Sequence, residues 1–156
     1  NIELFERHGI YNCTEINCRA DIALENYSKT VHIEALTLLE MVKRDVIPAL
    51  SRYQSDLCHT VTEKRAIDKN INCDAELEVI EKLSCFNSHL SSLVKELDAA
   101  VDEAQQTTDL LKCAQLYCNK VMFIMNNIRH IADEAETITA REYWPYPTYS
   151  DILFKV

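Results

Sequence analysis

One glycine, Gly9, stands in a chain of 156 residues, and that scarcity constrains the fold more than any motif does. Hairpins and the loops of α/β folds draw on glycine wherever the backbone must take a positive φ. A chain almost without glycine must turn rarely, and long helices turn least. The same count excludes a glycine-rich phosphate loop and a G-x-S-x-G nucleophile elbow. Three prolines, Pro48, Pro145 and Pro147, complete the punctuation.

The apolar pattern says the same thing positively. Val79, Leu83, Phe86, Leu90, Leu93, Leu97, Ala100 and Ala104 follow one another in alternating steps of 4 and 3. Leu110, Ala114, Tyr117, Val121, Ile124, Ile128, Ile131, Ala135 and Ile138 do the same. Unbroken heptad seams of this kind drive packed helices into a left-handed supercoil. Two such helices joined by Gln105-Gln106-Thr107-Thr108 are expected to form an antiparallel coiled-coil hairpin. Thr107 or Thr108 is expected to cap the second helix, with Asp109 facing its N-terminal dipole.

A longer helix precedes them. Asn12 with Glu15 three residues on reads as a capping box. From Ile16 to Leu57 the apolar positions advance 41 residues in 11 steps, about 3.7 per step, closer to a straight helix than to a strict heptad. Leu24, Ile33, Leu36, Leu39, Ile47 and Leu50 widen the stripe, so neighbours are expected on more than one side. The helix should run from about residue 13 to about 66, ~80 Å at 1.5 Å per residue. Pro48 lies inside it and removes one backbone donor from the carbonyl of Arg44. The pattern resumes in phase beyond it, which predicts a kink and not a stop. Asn70, Asn72 and Asp74 supply the turn to the next helix. Ahead of the long helix, residues 2–8 read as a short helix closed by Gly9 in the left-handed region. The fold class is thus all-α: an elongated bundle with three long helices, a short N-terminal helix and an aromatic-proline tail. With no linker and no repeat beyond the heptads, residues 1–156 read as one domain.

Charge and composition narrow the function. At 47% hydrophobic and 26% charged, the chain can bury a core. A net charge of −9 argues against nucleic acid and anionic membrane as partners. The longest apolar run in the second half, Val121 to Met125, falls far short of the ~20 residues of a spanning helix. Glu3, Glu6 and Arg7 interrupt the first ten residues, so no signal peptide is read there. The chain begins at Asn1 without Met and is expected to be a piece of a longer polypeptide. Seven cysteines without a C-x-x-C pair are expected to be reduced thiols of a cytoplasmic protein, several of them packed as small hydrophobes.

No constellation of reactive residues survives inspection. A bundle di-metal site needs two Glu-x-x-His pairs and two more acids. Three residues before the five histidines stand Phe5, Lys29, Asp56, Phe86 and Asn127, so Asp56/His59 alone comes near. Cys113 and Cys118 sit five apart on a helix and point ~140° away from each other. Cys13 and Cys18 share that spacing. The acids Glu76, Glu78, Glu81, Glu96, Asp98, Asp102 and Glu103 read as a solvated helix face. Lys43-Arg44-Asp45 reads as a solvated or interface patch. No catalytic, cofactor-binding or metal-binding residue is assigned. The residues alone describe a structural or interaction module.

Two stretches are distinctive beyond this pattern. Ile33-Glu34-Ala35-Leu36-Thr37 leads into Met41-Val42-Lys43-Arg44-Asp45-Val46-Ile47-Pro48-Ala49. Near the end, Tyr143-Trp144-Pro145-Tyr146-Pro147-Thr148-Tyr149 is followed by Ile152-Leu153-Phe154. With Leu4-Phe5-Glu6 and Gly9-Ile10-Tyr11, they resemble the C-terminal region of type III glutamine synthetase, element by element along essentially the whole chain. Tyr146 departs from the resemblance, because that family often carries an aliphatic residue there. The departure is expected to touch packing only.

The resemblance implies a parent ligase that joins ammonia to glutamate using ATP and Mg, in a cytoplasmic, ring-shaped homo-oligomer. The nucleotide and metal motifs of such a parent lie upstream, so this region would be an accessory or assembly domain held against the catalytic domain of the same chain. A free-standing coiled-coil interaction module is the alternative, and a bundle enzyme a third reading. The tail, rich in aromatic residues and stiffened by two prolines, is expected to dock on the helices or on the catalytic domain, with Trp144 as main anchor.

Overall fold

A computed structural model describes residues 2–147 and 149–153. Helices α1 (Ile2–Arg7), α2 (Cys13–Met41), α3 (Ile47–Ile67), α4 (Asp74–Gln106), α5 (Leu110–Leu116), α6 (Met122–Ile138) and α7 (Tyr149–Leu153) follow in order, with no strand among the described residues. Single π-helical turns, Val42–Val46 and Tyr117–Val121, join α2 to α3 and α5 to α6 without a break. The chain therefore builds three long helical arms, as the apolar spacing requires. Thr148 and Asp151 read in the sequence as a cap for one last turn carrying Ile152, Leu153 and Phe154; of these, Thr148 and Phe154 lie outside the described residues.

Local chemistry sets the helix ends. The Asn12 side chain accepts from the Glu15 N–H at 2.8 Å, and the Glu15 carboxylate accepts from the Asn12 N–H at 2.8 Å. Gly9 takes φ 64°, where a side chain would be strained. Between α3 and α4, Asn70 N–H donates to the Asp68 carboxylate and Asp74 N–H to the Asn72 side chain. The next turn differs from expectation. Gln105 and Gln106 are still helical, and Thr107 returns its hydroxyl to the Glu103 carbonyl at 3.0 Å. Asp109 itself caps α5, its carboxylate accepting from Lys112 N–H at 3.1 Å. Aspartate caps as well as threonine does, and its charge also suits the dipole.

The core is the α4 seam buried between the other two arms. Leu83, Leu90 and Leu97 are fully buried, and so are Val42 and Leu50 on one side and Val121, Ile124 and Ile128 on the other. On the first side, Gln54 Nε2 donates to the Ile80 carbonyl at 3.1 Å and Lys64 pairs with Glu76. On the second, the Cys113 thiol donates to the Ala104 carbonyl at 3.4 Å and Lys120 pairs with Glu103 at 2.5 Å.

The stripe on α2 fills in only from Ser28 onward. Ala20 and Ala23 are exposed, and Tyr27, Ile33 and Leu36 are 39%, 64% and 48% exposed. Ile33 and Leu36 face outward from the same turns that bury Val31, Ala35 and Leu39, whereas length explains the exposure nearer the start of α2. The α2–α3 arm runs unbroken from Cys13 to Ile67, ~80 Å, whereas α4 spans ~50 Å, so one end projects beyond its neighbours. There α1 folds back: the Cys13 N–H donates to the Glu6 carboxylate at 2.9 Å, and the Arg19 guanidinium lies 4.5 Å from the Tyr11 ring centroid. The cysteines also depart from expectation. All seven are free, but Cys73 is the one buried, Cys113 is half-buried and the rest are exposed.

An unpaired charge placed in the α4 seam, or among the α6 side chains that cover it, has no water and no partner. Leu90→Asp or Ile128→Asp should each lower unfolding free energy by ~3 kcal/mol or more in urea titrations followed by circular dichroism. Glu78→Ala, which removes a surface pair with Lys82, should be nearly silent.

Candidate interaction surface

The two distinctive stretches of sequence meet in space. Pro48 has no N–H for the carbonyl of Arg44, and just ahead of it the helix opens into the π-turn, where Ile47 N–H donates to the Val42 carbonyl. Such a turn shifts the phase of the helix and is frequent at functional sites. Asp45, inside this turn, is half-buried, and its carboxylate accepts the Tyr146 hydroxyl at 2.6 Å. Eleven residues farther along, Asp56 accepts the Tyr143 hydroxyl. The Tyr143 ring lies on that of Tyr53, centroids 5.1 Å apart. Trp144 and Tyr146 pack on the hydrophobic core, both half-buried. The tail thus docks within this chain, across the α2–α3 junction.

The residues beyond it contribute less than their composition suggests. Ile152 and Leu153 are 67% and 71% exposed, and α7 is tethered by the ion pair between Arg141 and Asp151. Docking rests on Tyr143, Trp144 and Tyr146. Tyr146, where the resemblance is loosest, does more than pack: it supplies a hydrogen bond.

Both tyrosine hydroxyls are held in their neutral form. Burial, then the hydrogen bond to Asp45, pushes Tyr146 up to about 12. The hydrogen bond to Asp56, then burial, pushes Tyr143 up to about 12. A phenolate at either place would face a carboxylate at contact distance.

The remaining polar candidates are engaged locally. Lys43 pairs with Asp98 at 2.5 Å and Arg44 with Glu40, so the Lys43-Arg44-Asp45 patch is split three ways. Asp56 serves Tyr143 while His59 turns to Glu63 at 3.2 Å, which separates the one pair that approached a metal motif. Cys113 points at the Ala104 carbonyl and Cys118 is exposed. His32 is set between Gln105, at 2.9 Å, and the hydroxyl of buried Tyr117, at 3.2 Å. Among the described residues no group of three or more His, Cys, Asp or Glu side chains is placed to hold a metal ion. No described helix is long and apolar enough to cross a membrane. What the arrangement offers is contact surface.

Residues 1–65, which span α1, α2 and most of α3, match the family model described as the glutamine synthetase C-terminal domain. The chain is 36% identical over 156 residues to a glutamine synthetase of Butyrivibrio fibrisolvens, covering 100% of this chain and 22% of the relative. It is 28% identical over 170 residues to the type-3 glutamine synthetase of Dictyostelium discoideum, covering 99% and 22%. To a glutamine synthetase of Bacteroides fragilis it is 27% identical over 149 residues, covering 93% and 20%. The chain spans about a fifth of the length of these curated relatives.

The docked tail generates two expectations. Trp144 is the only tryptophan, so its emission reports docking directly. It should lie to the blue of the urea-unfolded chain, and Trp144→Ala should cost about 2 kcal/mol, below the ~3–5 of a fully buried aromatic. The second concerns pH. An unfolded tyrosine titrates near 10, and the folded value for Tyr146 is higher. Its contribution is therefore whole below about pH 10 and is lost as pH rises through about 12. Phenolate absorbance should show a late-titrating set of tyrosines, Tyr143 and Tyr146 among them, and Tyr146→Phe should remove one member of that set.

Proposed function

We propose that this chain, whose sequence resembles the C-terminal region of glutamine synthetases, type III among them, along its full length, is a helical accessory and assembly domain of such an enzyme. Residues 1–156 form one domain, with α4 and the α5–α6 arm as its antiparallel coiled-coil hairpin. The observation that carries the reading is full coverage of this chain against about a fifth of each relative. The parent reaction is ATP-dependent ligation of ammonia to glutamate with Mg as the metal, in the cytoplasm. Its catalytic groups lie on another part of the polypeptide, and this region brings none of its own.

Assembly is supported by the surface. Ile22, Ile33 and Leu36 recur on the outer side of α2 and are each about half exposed or more. Ile22 lies toward the projecting end, and Ile33 and Leu36 face outward from turns whose inner side holds buried Val31 and Ala35. Contact with the catalytic domain of the same chain, or with a neighbouring subunit of a ring, would bury them.

Two measurements test this. The purified chain, given ATP, glutamate, ammonia and magnesium, should release no phosphate above the blank; turnover would contradict the reading. In the whole polypeptide, Ile33→Asp with Leu36→Asp should reduce the mass of the assembly seen by native mass spectrometry. In this chain alone the same pair should shift stability by no more than ~0.5 kcal/mol each, as exposed positions do.

A further inference from the structure

Between α2 and α6 lies an open trough of about 610 Å³, closed at one side by the docked tail. Its floor is apolar: Leu38 and Met41 from α2, Met122 and Met125 from α6, and Trp144 from the tail. Along α6 its lining runs from Met122 to Glu136, ~21 Å or about four helical turns. Small molecules are usually enclosed in compact pockets. A long apolar trough between two helices has instead the dimensions of a helix-binding groove, and methionines suit such a floor because they adapt to the side chains laid on them.

The rim specifies the charge of what lies there. Glu34, Asp133 and Glu136 stand along it against a single cation, Arg129, which already lies 4.0 Å from Asp133. Glu34 and Glu136 have no ion pair among the described residues. An apolar floor between unneutralised carboxylates favours an apolar helix face flanked by lysine or arginine, and repels an acidic one.

We infer that this trough is a docking site for a cationic amphipathic helix of a partner protein, three to four turns long. The inference stands on the trough alone and does not depend on the glutamine synthetase reading.

The test uses the whole chain and two synthetic helical peptides of about 15 residues, with the same leucine face and either lysine or glutamate flanks. Trp144 emission reads binding. The lysine peptide should bind at least tenfold tighter than the glutamate peptide. Glu34→Lys with Glu136→Lys should weaken it at least tenfold, while Glu81→Lys with Glu96→Lys, on α4 outside the trough, should change it less than twofold. Met125→Asp should abolish it; because that variant removes a core contact, its fold is checked by circular dichroism, and the surface charge reversal decides if it fails. Equal binding of the two peptides, or equal loss from the two reversals, would overturn the inference. So would binding that appears only after residues 154–156 are removed, which would make the chain's own end the occupant. Self-association of the chain that the lysine peptide cannot displace would assign the trough to a second copy and overturn it too.

Discussion

Everything in this molecule depends on burying one apolar seam, that of α4, on two sides at once. An isolated helix of this length gains little from its own hydrogen bonds in water; packing of its apolar face is what holds it. Leu83, Leu90 and Leu97 have no remaining exposure, and the long α2–α3 arm and the α5–α6 arm supply the side chains that cover them. Where a second arm is missing, as along the first half of α2, the same kind of apolar residue is left in water. Exposure therefore follows from whether a neighbour covers the position and not from residue type.

The seam also makes the junction at Val42–Val46 important. That turn must keep Val42 and Val46 in the core while Pro48 withholds a hydrogen bond from the helix. A π-turn meets both demands. It also leaves Asp45 half-buried where the returning chain can reach it. Tyr146 then gives the tail a directional bond beside the apolar contact of Trp144 with the core. Burial and direction are divided between two neighbouring residues, and Tyr143 repeats the arrangement at Asp56.

Much of this is legible in the sequence, and the reasons are specific. Heptad steps through Leu83, Leu90 and Leu97 report burial because a 3.5-residue period has few other uses. The Asn12–Glu15 box and Gly9 are local signals that need no tertiary context. The cap at Asp109 is harder to read, since Thr107, Thr108 and Asp109 are all good caps and the choice depends on where α4 ends. The exposure of Ile33 and Leu36 is invisible to periodicity, which tells that a face is apolar but not that a neighbour exists. The meeting of Asp45 with Tyr146 joins residues 101 positions apart and leaves no local trace. The two stretches that carry it are nevertheless the two that stand out as distinctive, and the structure places them side by side. The trough beside Trp144 has no sequence signature, because it is made by the gap between two arms.

The central claim is that the tail is part of this chain's own packed structure, held by a specific bond as well as by apolar contact. A double-mutant cycle on Tyr146→Phe and Asp45→Ala, read as urea unfolding free energies, tests it most directly. The account predicts a favourable coupling of ~0.5–1.5 kcal/mol between the two positions, the range of a hydrogen bond in a partly buried setting. Strictly additive effects would contradict it, because they would mean that the tail and the π-turn do not sense each other.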